Sequence, residues 1–251
     1  MRGHLLPGRP ALDFSDYHRL TRSCAPLLAL ARRALGCAAR RCEPPAQRVS
    51  PAQAPVWVHA GRLPQLRAAY ALIDRLAEQG LPVLLTHDSP AGRRAAERRY
   101  AAQIAAGTLR QDWAPAAPLQ AALAFLDSHQ PRCGLLVERG AHPAMVRAAQ
   151  ACGVPLLLLD AALDEPGYWR AQVAGRVMRE CYAGLAAVHA ASPADARRLV
   201  RAGAGQVRVT GRLAEPDGRA VEQAMAAWAA ASLAPREPQP EARAAQRAFG
   251  V

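Results

Sequence analysis

An α/β fold, a parallel sheet with helices on both faces, is predicted by three features of the 251-residue chain. Short apolar runs without polar alternation recur along it, as expected of strands buried on both faces. Segments of helical period lie between them. Strand and helix therefore alternate, and that order makes a parallel, doubly wound sheet of Rossmann type. Hydrophobic residues make up 51% of the chain, enough for a continuous core, but aromatics are only 5%, so alanine and leucine must supply most of the packing.

Residues 1–54 hold a polar start, an apolar and basic helix at 24–39, and a proline-rich linker, 43-EPPAQRVSPAQAP-55. Arg32 and Arg33 interrupt the helix, which is too short and too charged to span a bilayer. It suits an anionic membrane surface or packing on the domain. The α/β domain is expected over 55–217. Its strands are read at 56-VWVHA-60, 81-LPVLLTH-87, 134-GLLVE-138, 154-VPLLLLD-160, 185-LAAVHA-190 and 207-VRVTG-211.

Between them, 64-PQLRAAYALIDRLAEQG-80 carries an apolar stripe through Leu66, Ala69, Tyr70, Ile73 and Leu76, with Pro64 suited to the first turn and Gly80 to the exit. Similar stripes run through 116–129, 143–153 and 193–203. Residues 218–251 read as an alanine-rich helix, 219-RAVEQAMAAWAAASL-233, followed by a break and a basic tail.

The net charge is +12, and every one of the 32 basic residues is arginine; lysine and asparagine are absent. Such a charge suits nucleic acid or an anionic membrane, yet no aromatic-plus-basic motif accompanies it and no specific nucleic-acid partner is expected. The six cysteines form no CxxC pair, and neither a disulfide framework nor a zinc motif is predicted from their spacing. A reduced, cytoplasmic setting follows.

In an open parallel sheet, ligands bind outside the carboxyl ends of the strands. Those ends are His59 to Gln65, His87 to Gly92, Glu138 to Pro143, Asp160 to Glu165, Ser192 and Gly211. Arg62, Arg93, Arg94 and Arg139 gather at three of them, where guanidinium forks suit phosphate groups. Glu138 can face the cleft or cap the next helix. Ser192, with Pro193 and Asp195, reads as a helix cap. Gly211 suits a tight turn. Asp160 and Glu165 are carboxylates that can meet a cation or a sugar hydroxyl.

Five of these junctions resemble, in order, the N-terminal domain of the 3-deoxy-D-manno-octulosonic acid (Kdo) transferases. A W-I-H-A strand with a loop ending in glutamate is similar to Trp57-Val58-His59-Ala60 with Gln65 at the glutamate position. A T-x-x-T-P-T-G loop is matched at Thr86, Ser89, Pro90 and Gly92, and an E-T-E-L-W-P-N loop at Glu138 and Pro143. N-A-R-L-S-E resembles 160-DAALDE-165, and the last two motifs resemble Ser192 with Asp195 and 209-VTGRLA-214.

The resemblance implies half of a glycosyltransferase-B fold, an acceptor of lipid A precursor type, and a place in lipopolysaccharide biosynthesis at the cytoplasmic face of the inner membrane. It implies no cofactor. The acceptor-binding positions it suggests are Arg62, Arg93, Arg94, Glu138, Arg139, Ser192 and Gly211.

Where the family has its candidate base this chain has Gln65, which takes no proton; His59 is the replacement base at hand. Gly140, His142 and Ala162 stand where the family has other polar or aromatic groups. The donor-binding half has no counterpart after residue 217, so transfer by this chain alone is not expected. A protein partner supplying a donor-binding domain, which would restore an active transferase, is one alternative. A basic nucleotide- or nucleic-acid-binding module is the other.

Overall fold

The computed structural model describes residues 13–14, 16–17, 19–24, 53–115, 118–215 and 218–233. The expected helix at 24–39 apart from Cys24, most of the linker and the basic tail lie outside the described residues. Seven strands form one sheet: β1 Val56–His59, β2 Val83–His87, β3 Leu109–Trp113, β4 Cys133–Val137, β5 Leu156–Ala161, β6 Ala187–Ala190 and β7 Val207–Val209. The order is β3-β2-β1-β4-β5-β6-β7, and every pairing is parallel.

Helices connect them: α1 Leu63–Glu78, α2 Pro90–Arg99, α3 Ala101–Ala105, α4 Leu119–His129, α5 Pro143–Ala151, α6 Glu165–Val173, α7 Arg176–Ala183, α8 Pro193–Arg201 and α9 Arg219–Leu233.

Successive strand residues point to opposite faces, and the core divides accordingly. Trp57, Leu84, Leu136, Leu156 and Leu158 pack with Phe125 and Leu126 of α4, Met145 and Val146 of α5, and Leu199 of α8. Val58, Leu85, Leu135, Leu157 and Leu159 face Leu66, Leu72 and Ile73 of α1 and Val221 and Met225 of α9. Helices thus cover both faces, and the Rossmann-like architecture is as the alternation predicts. Gly134, inside β4, makes room for the Trp57 ring: a Cβ there would stand 2.9 Å from Trp57 Cε3 and collide with Leu156.

Six strands are expected from the apolar runs; the seventh, β3, is the addition. Its sequence, LRQDW, is mostly polar because the strand lies at the sheet edge and buries fully only Leu109. Helices α2, α3, α6 and α7 are also additions. In α2 five of the ten residues are charged and only two are buried, so its periodicity is faint.

His189 on β6 is buried with no hydrogen-bond partner at either ring nitrogen among the described residues. Burial, then the Arg208 guanidinium on the neighbouring strand, pull its pKa down to about 4. The folded state therefore binds fewer protons than the unfolded chain between the ordinary histidine range and pH 4, and stability falls as pH falls through that window. We expect His189→Leu to make the slope of stability against pH there shallower by about one proton, measured as urea unfolding midpoints from pH 7 to pH 4.

Candidate functional site

The sheet order reverses direction at β1: α1 leads outward to β2 on one side, and β4 pairs on the other after the excursion to β3. Such a switch point opens a crevice beyond the carboxyl ends of the two central strands. His59 closes β1, Glu138 follows β4, and Asp88 follows β2. All three side chains converge there. His59 Nε2 lies 3.5 Å from Glu138 Oε1 and 3.7 Å from Asp88 Oδ2.

The cluster is held from below by Thr86, which pairs in register with His59. Its hydroxyl accepts a hydrogen bond from Trp57 Nε1 at 2.8 Å and lies 3.0 Å from His59 Nδ1. One edge of the imidazole is thereby committed to the sheet, and the other turns to the carboxylates. The Gly61 amide donates to Glu138 Oε1 at 3.1 Å, and its carbonyl accepts from the Asp88 amide at 2.8 Å. Glycine is required at this position. A Cβ on Gly61 would stand 2.6 Å from Asp88 Oδ2 and 2.7 Å from Glu138 Oε1.

Burial lowers the His59 pKa well below the ordinary histidine range, with Asp88 opposing and His142 and His87 reinforcing the shift. Burial also pushes Glu138 up to about 7, against the Gly61 amide and with Asp88 adding like-charge repulsion. Burial thus favours the neutral imidazole and raises the proton affinity of the Glu138 carboxylate beside it. The His142 ring stands edge-on to His59 at 6.1 Å.

The sequence-predicted residues divide around this centre. His59 and Glu138 belong to it. Arg62 is exposed at the N-cap of α1, and Gln65 sits in the first turn with its Oε1 buried and without a hydrogen-bond partner among the described residues. Arg93 is engaged elsewhere, bonded to Glu97 at 3.1 Å and lying over the Trp113 ring; Arg94 is exposed on α2. Arg139 is exposed and 3.9 Å from Asp164, beside an open cavity of about 470 Å³ lined also by Ala162, Leu163, Met178 and Tyr182.

Farther along the carboxyl edge, Ser192 caps α8, accepting from the Asp195 amide at 3.1 Å and donating to its carboxylate. Gly211 follows β7 at φ +80°. Asp160 lies 3.8 Å from Arg212, and Glu165 begins α6. Asp88, Thr86 and Gly61 complete the centre; Thr86 falls in a loop matched by the family resemblance, while Asp88 and Gly61 lie within strand-end stretches but are not among the predicted site residues. Only the adjacency of Asp88 to a strand end could have marked it.

Thr86→Val leaves the Trp57 indole N–H and the His59 ring without their shared partner inside the core. We expect a loss of about 2–3 kcal/mol in unfolding free energy, with Thr86→Ser recovering most of it, as read by denaturant titration.

Comparison with known proteins follows the same central region. A family model described as 3-deoxy-D-manno-octulosonic-acid transferase (kdotransferase) matches residues 32–214. A 3-deoxy-D-manno-octulosonic acid transferase of Bordetella pertussis is 45% identical over 164 residues, covering 65% of this chain and 38% of that protein. The chain thus spans well under half the length of that relative.

Among solved structures, a Listeria monocytogenes protein described as a UDP-N-acetylglucosamine 2-epimerase aligns with TM-score 0.44 and 12% identity. It covers 64% of this chain and 46% of that one. UDP-GlcNAc 2-epimerase from Neisseria meningitidis aligns with TM-score 0.41 and 16% identity, over 62% and 46%. Neither bears on the chemistry. The extent of the family match, which includes every strand of the sheet, places this chain in the 3-deoxy-D-manno-octulosonic-acid transferase (kdotransferase) family.

Proposed function

We propose that the α/β domain over 55–217 is the acceptor-binding half of a glycosyltransferase-B-type Kdo transferase. On this reading it binds a lipid A precursor at an anionic membrane surface without transferring sugar by itself. The observation that carries the proposal is Gln65. Its Oε1 is buried without a hydrogen-bond partner among the described residues, in the first turn of α1, three positions after the exposed Arg62 at the N-cap.

A buried polar atom without a partner costs free energy unless a ligand supplies one. A sugar hydroxyl would satisfy the amide, and the guanidinium beside it suits a phosphate. The same amide cannot take the proton that leaves an acceptor hydroxyl during transfer. Binding therefore survives at this position where base catalysis does not.

Arg139 provides a second exposed cation on the same carboxyl edge, next to an open cavity with apolar lining from Leu163, Met178 and Tyr182. A phosphorylated, acylated amphiphile presents the matching chemistry. Among the described residues no helix is long and apolar enough to cross a membrane, so on this proposal contact with the inner membrane is peripheral.

The test is binding of the purified chain to detergent-dispersed tetra-acyl lipid A precursor, against an anionic phospholipid at matched charge. We expect preference for the precursor, weakened about tenfold by Arg62→Ala or Arg139→Ala and lowered by Gln65→Ala. Equal binding to both lipids would reduce the arginines to unspecific charge and remove the acceptor reading.

A further inference from the structure

We propose that His59, Asp88 and Glu138 form a binding site for one divalent transition-metal ion of the zinc class. This inference stands apart from acceptor binding and is testable with no lipid present.

The three residues offer one imidazole nitrogen and two carboxylate oxygens within 4.8 Å of one another. Tetrahedral zinc with ligands at about 2.0–2.2 Å sets its donor atoms roughly 3.3–3.6 Å apart. The imidazole nitrogen stands 3.5 Å from Glu138 and 3.7 Å from Asp88, too long for hydrogen bonds and close to the spacing of donors around a shared ion. The remaining adjustment falls on Asp88, whose side chain is 37% exposed.

An independent observation comes from the imidazole. The His59 side chain is 1% exposed, and among the described residues its Nε2 has no hydrogen-bond partner although it lies near two acids. A threonine hydroxyl can accept two hydrogen bonds, so Thr86 Oγ1 can take both the Trp57 N–H and a proton on His59 Nδ1. That arrangement leaves the Nε2 lone pair directed at two carboxylates, a repulsive contact that a cation converts into three bonds.

The supporting contacts are those of a metal-ligating histidine and carboxylate. Nδ1 is held by a hydroxyl fixed to the sheet, and Glu138 is oriented by a backbone amide. An imidazole with only two carboxylates favours zinc, iron or cobalt over magnesium or calcium, which are bound mainly through oxygen. Three protein ligands leave coordination open for an exchangeable ligand. The expectation of no zinc site rests on ligand spacing along the chain; here the ligands come from the ends of three strands, which sheet order alone brings together.

The experiment is titration of the intact, chelator-stripped chain with cobalt(II), read by visible absorption and by competition with a chelator of known affinity. We expect one equivalent to bind with the intense d–d bands of low-coordinate cobalt, zinc to displace it, and magnesium in equal amount to leave it in place. Thr86→Val should weaken binding about 10–100-fold. His59→Gln and Glu138→Gln should abolish the bands. Asp88→Asn alters a partly exposed side chain, so it keeps the test open should the buried variants fail to fold; it should lower affinity at least tenfold. Absence of the bands, displacement by magnesium, or unchanged cobalt affinity in folded Asp88→Asn would overturn the proposal.

Discussion

The hydroxyl of Thr86 joins the two halves of this molecule's logic. It receives the indole N–H of Trp57, which is buried in one face of the core, and it contacts the imidazole of His59, which lies beside Asp88 and Glu138 at the carboxyl edge. Trp57 and His59 are two residues apart on β1 and therefore project from the same side of the sheet. The β1–β2 register brings Thr86 opposite His59. A single oxygen thus fixes the ring orientation of the site and anchors the largest side chain of the core. Core packing and site geometry cannot vary independently here, because a shift of the indole is felt at the imidazole.

This coupling explains which parts of the molecule were legible in the sequence. The central strands announce themselves because burial on both faces demands continuous apolar runs, as in Leu156–Leu159. The edge strand β3 escapes notice for the opposite reason: Arg110 is exposed, and Gln111 and Asp112 are half-buried against the polar rings of His87 and His129. The strand ends could be named in advance, so His59 and Glu138 stand out as strand-end polar residues. Their meeting with Asp88 could not be, since it depends on β1 lying between β2 and β4. Sequence motifs state which residues reach the carboxyl edge; strand order states which of them touch.

The arginine excess resolves into several uses. Arg99 stacks over Tyr70 at 4.4 Å and bonds Asp74 at 2.6 Å. Arg132 donates to the Ala54 carbonyl at 2.8 Å, tying the start of β1 to the approach of β4. Arg75 and Arg176 lie in exposed ion pairs on helix surfaces, which contribute little each. Much of the charge is thus structural or solvated, and Arg62 and Arg139 stand exposed at the carboxyl edge.

The strand order also governs how the molecule comes into being. The hydrogen bond from Gly61 to Glu138 closes a loop of 77 positions, and β1 cannot acquire its second neighbour until the chain through β3 and α4 has been made. During synthesis β1 and β2 can pair early, while the other edge of β1 waits for β4. Contacts between positions so distant along the chain form slowly, because the entropy of loop closure precedes any gain from them. The crevice is therefore a late product of folding. Its appearance marks the moment when the nascent sheet ceases to offer an open central strand for association with other chains.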